Sequence, residues 1–322
     1  MRFILVLACL AISPVSAQEI EFQFTVYGME ETVAKALEER LVAGGETATA
    51  AIAMLPDFVR QSRVTESATV DFKLTSGDRG RAKSSEGTIT FPWHEATDGL
   101  DIEVDPVVTN GILDFNLTAI YSTRDNKDLL ERIATTQITA VSGVPMLVNR
   151  WQYGKEWLLL VCTATYPNSA DSSSLTGRLY IDSACYPAAT SASADRDRVA
   201  STRIACRSGQ RAKTEIIAWI DDENVPENDQ PGFSALIDPL LAGDGTLKLV
   251  AKVTYTEEAG GTTRLDSGEK VRRLKIREME DEMELEEGAL AGRKMTVAGT
   301  DDIETREDNY VVAFKFALGG TE

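Results

Sequence analysis

The side chains that could carry out catalysis are few in this chain of 322 residues. The single histidine, His94, follows Phe91-Pro92-Trp93 and precedes Glu95. A Ser-His-Asp or Cys-His mechanism would therefore depend on that one residue. Zinc sites need several Cys or His ligands at close spacing, which one histidine and scattered cysteines do not provide. The sequence favours His94 as a strand-end residue without a catalytic role, and it predicts neither a zinc site nor a cofactor.

An acidic segment supplies the oxygen ligands that calcium prefers. Its carboxylates are Asp221, Asp222, Glu223 and Asp229, with Asn224, Glu227 and Asn228 between them. The segment lacks the spaced Asp/Asn-Gly pattern of an EF-hand loop. A solvated loop is therefore the favoured interpretation, and a weak calcium site is the functional alternative.

Three cysteines follow the first seventeen residues, so at most one intramolecular disulfide can form among them. The predicted pair is Cys185 with Cys206, which are 21 residues apart and could lie on neighbouring strands. Cys162 lies in the apolar run Leu158–Cys162 and is predicted to be a core residue. The alternative that all three are small buried hydrophobic residues stays open.

The N-terminal residues 1–17 have the pattern of a secretory signal peptide. Arg2 is positive, Phe3–Ile12 is apolar, and Val15-Ser16-Ala17 forms a small-residue cleavage site before Gln18. We therefore expect an exported protein, located in the periplasm, at the outer membrane or outside the cell. No later segment reaches the roughly 20 apolar residues of a membrane-spanning helix, so none is predicted.

The net charge is strongly negative, at −18 for the full sequence. Proteins that bind nucleic acid use Lys and Arg to displace counterions from the phosphates, and here the basic residues are outnumbered by carboxylates. Nucleic acid and anionic membrane surfaces are therefore not expected partners. An acidic surface keeps an exported protein dispersed and could attract cationic partners.

One segment of the chain occurs twice. The residues Ser76-Gly77-Asp78-Arg79-Gly80-Arg81-Ala82-Lys83 are similar to Ser208-Gly209-Gln210-Arg211-Ala212-Lys213, and a Pro-bearing strand pattern follows from Gly99 and from Gly232. Ala82 and Ala212 are 130 positions apart, Pro106 and Pro239 are 133 apart, and Gly143 and Gly288 are 145 apart. A slowly growing offset is what loop insertions produce. We interpret the repeated Ser-Gly turn as a structural landmark and not as an anion-binding loop, because the second copy retains only one of its glycines.

The repeat predicts the domain organisation. The first β-rich repeat covers residues 18–167, a linker covers 168–174, and the second repeat covers 175–322, each long enough to bury its own core. Short strands joined by Gly, Asn, Asp and Pro turns indicate a mainly β (α+β) fold with antiparallel sheets. Asn110-Gly111 and Asp244-Gly245 are expected to form hairpins at the same place in each repeat.

Two local patterns carry the remaining structural predictions. Val33, Leu37 and Leu41 recur every four residues between Met29 and Val42, which predicts one amphipathic helix, in the first repeat, that ends before Gly44-Gly45. The acidic segment Glu278–Glu287 has helical propensity, but the repeat alignment places a strand near Met283–Glu286 with an exposed acidic turn before it.

The repeated residues resemble a known family. Arg203–Ala212 is similar to the stretch of bacterial type II and III secretion system secretins in which a strand enters a Ser-Gly-Gln-x-Ala turn. Val144–Leu147 and Lys155–Thr163 resemble the Pro-x-Leu and Glu-Leu-Leu-x-x-x-Thr closing pattern of the secretin β-domain. The charged interval Ser122–Glu131 is incompatible with a lipid-facing barrel strand. The resemblance thus implies a tandem, divergent derivative without the membrane barrel, and channel formation is not expected.

Three functions follow from these observations as hypotheses. The first is a non-enzymatic, exported envelope interaction or assembly protein whose exposed sheet edges bind protein partners or copies of itself. The second is an exported protein that binds a small ligand or calcium, through the Asp221–Asp229 loop or a cleft between the repeats. The third is an extracellular hydrolase.

Overall fold

The computed structural model describes residues 18–90, 94–125, 128–167, 178–187, 198–220, 230–264, 270–297 and 310–319. The predicted signal peptide and the predicted linker lie outside these ranges. The strands are β1 (Glu19–Met29), β2 (Val64–Thr75), β3 (Gly80–Lys83), β4 (Thr88–Thr90), β5 (Glu95–Thr97), β6 (Gly99–Thr109), β7 (Ile112–Asp125), β8 (Asp128–Ala140), β9 (Met146–Tyr153), β10 (Glu156–Thr165), β11 (Arg178–Pro187), β12 (Ala200–Arg207), β13 (Ala212–Trp219), β14 (Gly232–Leu241), β15 (Leu247–Arg264), β16 (Lys270–Leu285), β17 (Ala291–Lys294), β18 (Thr296–Val297) and β19 (Tyr310–Gly319).

Two helices connect β1 to β2. The first, α1 (Glu31–Ala43), buries Val33, Leu37 and Leu41 and ends at Gly44, so the predicted amphipathic helix is confirmed. The second, α2 (Gly45–Arg60), was not predicted from the sequence. Its alanine-rich middle is uncharged and it contains Pro56, a residue that normally argues against a helix interior. None of the described helices is long and apolar enough to cross a membrane.

The strands form two large antiparallel sheets that share one order. Sheet A has the order β17-β19-β11-β12-β9-β10-β1-β2, and sheet B has the order β18-β16-β15-β14-β13-β8-β7-β6-β3. In sheet A the second half of the chain supplies the first four strands and the first half supplies the last four, in equivalent positions. Sheet B shows the same pattern apart from the extra strand β18: the second half of the chain supplies β16-β15-β14-β13, and the first half supplies β8-β7-β6-β3. The mainly β, antiparallel fold with an internal tandem repeat is therefore confirmed.

The two repeats join edge to edge in both sheets. In sheet A, Ala200–Ile204 of β12 lies opposite Asn149–Tyr153 of β9. In sheet B, Lys213–Trp219 of β13 lies opposite Leu129–Thr135 of β8. One buried apolar cluster contains residues of both repeats, among them Phe22, Phe115, Phe233 and Phe314. The expectation of a separate core for each repeat is wrong, because continuous sheets place a continuous core between them.

The repeated Ser-Gly turn has the same hydrogen bonds in both copies. Gly77 N–H donates to Pro106 O at 2.7 Å, and Gly209 N–H donates to Pro239 O at 2.6 Å. Ser76 Oγ accepts from Val108 N–H and Ser208 Oγ accepts from Leu241 N–H, each at 2.9 Å. The turn is thus a structural landmark that ties each β2-type strand to a β6-type strand.

Strand register corrects one detail of the repeat alignment. Gly80 lies opposite Val104, as Ala212 lies opposite Ile237. Since Pro106 and Pro239 are equivalent, Ala212 corresponds to Gly80 and not to Ala82. The offset is therefore 132 positions here, and the two alanines matched by sequence are not equivalent.

The hairpin and acidic-strand predictions have different outcomes. Asn110 and Gly111 both have positive φ and join β6 to β7 as a two-residue turn, and Asp244-Gly245 lies in a longer turn between β14 and β15. The strand predicted near Met283 is confirmed as part of β16. The acidic turn predicted before it is wrong, because Glu278–Glu282 continues the same strand with Met279 buried and its glutamates exposed.

Candidate functional site

The calcium candidates Asp221, Asp222, Glu223 and Asp229 lie outside the described residues. Among the residues that the structure does describe, no three His, Cys, Asp or Glu side chains are grouped closely enough to hold a metal ion.

The predicted disulfide between Cys185 and Cys206 is wrong. Cys206 lies opposite Leu179 and Cys185 lies opposite Ala200, so the two cysteines are six positions apart along the paired strands β11 and β12. At about 3.4 Å per residue this is about 20 Å, whereas a disulfide needs Cα atoms within about 7 Å. Cys162, Cys185 and Cys206 are all free and buried, which matches the alternative interpretation as small core residues.

Burial makes these thiols unreactive. It raises the pKa of Cys185 and of Cys206 to about 12, and it raises that of Cys162 as well. At pH 8 roughly one molecule in ten thousand then carries a thiolate at either of the first two positions. We expect a thiol reagent at pH 8 to label none of the three cysteines in the folded chain and all three after unfolding without reductant. A single labelled thiol after unfolding would instead indicate a disulfide.

His94, directly before β5, contacts a small polar group formed by side chains of β7, β8 and β13. Its Nε2 lies 3.2 Å from Glu131 Oε1, and its ring stacks on Trp219 with centroids 4.2 Å apart. Glu131 also accepts hydrogen bonds from Trp219 Nε1 at 3.1 Å and from the buried Ser122 Oγ at 3.4 Å. The hydroxyl therefore contacts the carboxylate and not the histidine, an order that differs from a nucleophile-base-acid triad.

Four charged side chains, two of them buried and two partly buried, lie where the two repeats meet on sheet A. This group, the junction cluster, consists of Glu38, Arg150, Asp182 and Arg203. Arg203 lies directly opposite Arg150 on one side and Asp182 on the other, which sets three of the charges in one row across β9, β12 and β11. Helix α1 crosses the outer face of this sheet and places Glu38 above the row.

The four charges alternate in sign. Glu38 Oε1 accepts from Arg150 Nη1 at 3.2 Å and from Arg203 Nη1 at 2.7 Å. Asp182 accepts from Arg150 Nη2 at 3.0 Å and from Arg203 Nε at 2.8 Å. Two arginines directly opposite each other would repel, and the intervening carboxylates offset that repulsion. Each repeat supplies one acid and one base, so the junction cluster is an ionic contact between the repeats.

Carboxylates and an aromatic ring surround the two arginines of the junction cluster. Burial lowers the pKa of Arg203, but Asp182 and Glu38 outweigh this effect and hold it above its ordinary value. The Arg150 guanidinium lies 5.2 Å from the ring centroid of Trp157. Arg198 and Lys35 approach the same ring, at 5.1 and 6.0 Å. Such contacts stabilise cations at this place on the sheet.

A cleft of about 230 Å³ opens beside the junction cluster. Its charged lining has five cations and three carboxylates: Lys35, Arg150, Arg198, Arg203, Lys315, Glu38, Glu39 and Asp182. In a chain whose net charge is −18, this is a local concentration of positive charge. The cleft can therefore receive a small anion between the repeats.

In sheet B, the end strand β3 and the strand β16, which is next to the two-residue β18 at the other end, carry opposite charges on their outward faces. On β3 and the turn before it, Arg79 and Arg81 have side chains that are 72% and 56% exposed. On β16, Glu280 and Glu284 are 71% and 67% exposed, and Glu282 between them is exposed as well. Arg79 pairs with Glu103 and Arg81 with Asp101 on β6, and Glu280 lies 4.0 Å from Lys252 on β15.

Buried tyrosine-arginine pairs, like the junction cluster, were not predicted from the sequence. Tyr121 lies opposite Arg132 in the first repeat, and Tyr255 lies opposite Arg277 in the second. Both arginines are 1% exposed. Arg132 lies 5.5 Å from the Tyr121 ring, and Arg277 lies 4.1 Å from the Tyr310 ring. The two tyrosines are 134 positions apart, close to the 133 positions between the repeated prolines, and this spacing could have identified them as equivalent residues of the repeat.

Comparisons with protein families, with curated proteins and with solved structures found no match to this chain.

Proposed function

We propose that this protein is an exported, non-enzymatic interaction or assembly module of the cell envelope, which binds protein partners along the open edges of its sheets. The observation that carries the proposal is the edge-to-edge junction between the repeats, since the fold already uses strand addition in both sheets to join two units. The signal-peptide pattern of residues 1–17 supports export.

The sheet ends supply what strand addition needs. β3 is the last strand of sheet B at one end, and at the other end the described residues cover β16 only with the two residues of β18. Backbone N–H and C=O groups along an open edge pair with an added strand, and flanking side chains select the partner. The charged outward faces of β3 and β16 provide that selection.

Crosslinking on intact cells tests the proposal. We expect a tagged chain to fractionate with the envelope and to give crosslinked species that contain a second polypeptide, either another protein or a second copy. A variant with Arg79→Glu tests whether the β3 edge contributes, with Arg60→Glu on α2 as the control for the change in charge. Recovery of free monomer alone, from cells in which the protein is abundant, would contradict the proposal.

The positively lined cleft favours a second function, the binding of a small anionic ligand between the repeats. Phosphate and malonate are suitable probes, and a probe at ten times its dissociation constant stabilises the folded state by about 1.4 kcal/mol. We expect the melting temperature to rise with probe concentration in the native chain and not in Lys315→Ala. An Arg60→Ala variant is the matched control. An unchanged melting temperature at about 10 mM of both probes would exclude this function.

The calcium version of the second function is tested in the same assay. If calcium binds at Asp221, Asp222, Glu223 and Asp229, millimolar calcium should raise the melting temperature of the chain. An unchanged melting temperature removes calcium as a ligand.

A further inference from the structure

The internal junction of sheet B defines a register for joining one repeat to the next. In β13 and β8, Lys213 lies opposite Thr135 and Glu215 lies opposite Ile133. The equivalent of β13 in the first repeat is β3, and the equivalent of β8 in the second repeat is β16. These two strands are the repeat strands at the ends of sheet B.

The equivalences follow from pairing within each repeat. Arg81 lies opposite Glu103 as Lys213 lies opposite Leu236, so Arg81 takes the place of Lys213. Tyr121 lies opposite Arg132 as Tyr255 lies opposite Arg277, which sets an offset of 145 positions between β8 and β16. Glu280 therefore takes the place of Thr135.

Transferring this register to two separate copies aligns opposite charges. Arg81 of one copy falls opposite Glu280 of the other, and extending the same register by two residues, beyond the pairs of the internal junction, sets Arg79 opposite Glu282. Directly opposite residues of an antiparallel pair point to the same face, and here all four side chains point outward. Ala82 falls opposite the buried Met279 on the inner face, so apolar side chains meet on the core side.

We propose that copies of this chain associate head to tail, with β3 of one copy added to β16 of the next in the register of the internal junction. The inference rests on the proposed function and names its partner as a second copy of this chain. The two surfaces in this contact, β3 and β16, differ from each other. Two joined copies therefore leave one free β3 and one free β16, and assembly continues beyond a dimer.

The end strands have open positions for most of this contact. β13 has eight residues, whereas β3 has four. β18 pairs with β16 only at Arg277 and Glu278, which leaves Met279–Leu285 open on that side among the described residues. Gly80, Arg81 and Ala82 of β3 thus fall opposite open residues of β16, whereas Lys83 falls opposite Glu278, so adding β3 displaces the two-residue β18 at that position.

Sedimentation of charge-reversed variants tests the inference. We expect the native chain to form concentration-dependent assemblies that weaken as salt rises. Arg79→Glu and Glu282→Lys should each weaken association by about five- to tenfold, because an attractive cross-strand pair becomes repulsive. Mixing the two variants should restore association, since each junction in the mixture again pairs opposite charges. Arg60→Glu, on the exposed part of α2, should leave association unchanged.

Disulfide trapping tests the register itself. Arg79→Cys and Glu282→Cys, prepared as separate variants and mixed under oxidation, should form a crosslinked pair. Glu286→Cys, four residues further along, should not form one with Arg79→Cys. The native thiols are buried and do not interfere.

The outcomes separate this inference from the proposed function. A chain that stays monomeric at about 100 µM and forms no crosslink would overturn the head-to-tail contact, as would crosslinking of Arg79→Cys with itself. If the head-to-tail contact fails but a different envelope protein is crosslinked to the chain on intact cells, the proposed function is still supported.

Discussion

Replacement of Arg150 by alanine is expected to lower the free energy of unfolding by about 3–5 kcal/mol, because removing one member of a buried ion cluster leaves uncompensated charge behind. The side chains of Arg150 and Glu38 are 5% and 3% exposed. Without Arg150, the carboxylates of Glu38 and Asp182 share the single Arg203, and Trp157 loses one of its three cation contacts. Urea unfolding of the native chain and the variant measures the difference.

Two controls separate the ion cluster from other causes of this loss. Arg60→Ala removes an arginine whose side chain is 78% exposed and should change the free energy of unfolding by less than about 0.5 kcal/mol. Arg150→Met keeps most of the side-chain volume and should still destabilise strongly, because the carboxylates remain unpaired. A loss below about 1 kcal/mol for Arg150→Ala would show that the cluster does not hold the repeats together.

Replacement of Gly232 by alanine is expected to destabilise the fold by about 3 kcal/mol or more, since the added methyl group meets backbone and not a movable side chain. A Cβ at Gly232 would lie 2.0 Å from the carbonyl oxygen of Ile216 on the paired strand. The equivalent glycine of the first repeat, Gly99, has φ of 98°, and a Cβ there would lie 2.4 Å from Ser84 Oγ. Both glycines have positive φ, which explains why both repeated strand patterns begin with glycine.

Gly243→Ala is the matched control for Gly232→Ala. A Cβ at Gly243, in the turn after β14, has no atom within 4 Å. The thermal midpoint of Gly243→Ala should stay close to that of the native chain, whereas the midpoint of Gly232→Ala should fall by several degrees or more. Equal midpoints for the two variants would contradict the close approach of β13 and β14.

The repeat and its turns could be predicted from the sequence because their signals are local. Ser76 and Ser208 recur with the same neighbours, and the hydrogen bonds of each turn lie close to those residues. The strand near Met283 also followed from the repeat, although its acidic composition favours a helix. In that segment the repeat was a better guide than propensity, since pairing with β15 fixes the strand.

The junction could not be predicted, because its contacts join distant parts of the chain. Glu38, Arg150, Asp182 and Arg203 come from four elements, and each is unremarkable among many charged residues of this sequence. The disulfide prediction had the same weakness: β11 and β12 do pair, but a position along a strand depends on register, which spacing alone does not determine. Helix α2 was missed since its alanines and threonines lack a charged face.

Site-specific photocrosslinking in intact cells tests the central claim, that the sheet edges bind protein, most directly. A photoreactive residue is placed at position 79 beside β3, at position 282 on β16, or at position 60 on α2 as the control. The proposed function predicts protein adducts from positions 79 and 282 and none from position 60. Absence of adducts at both edge positions, with the chain folded and exported, would contradict it.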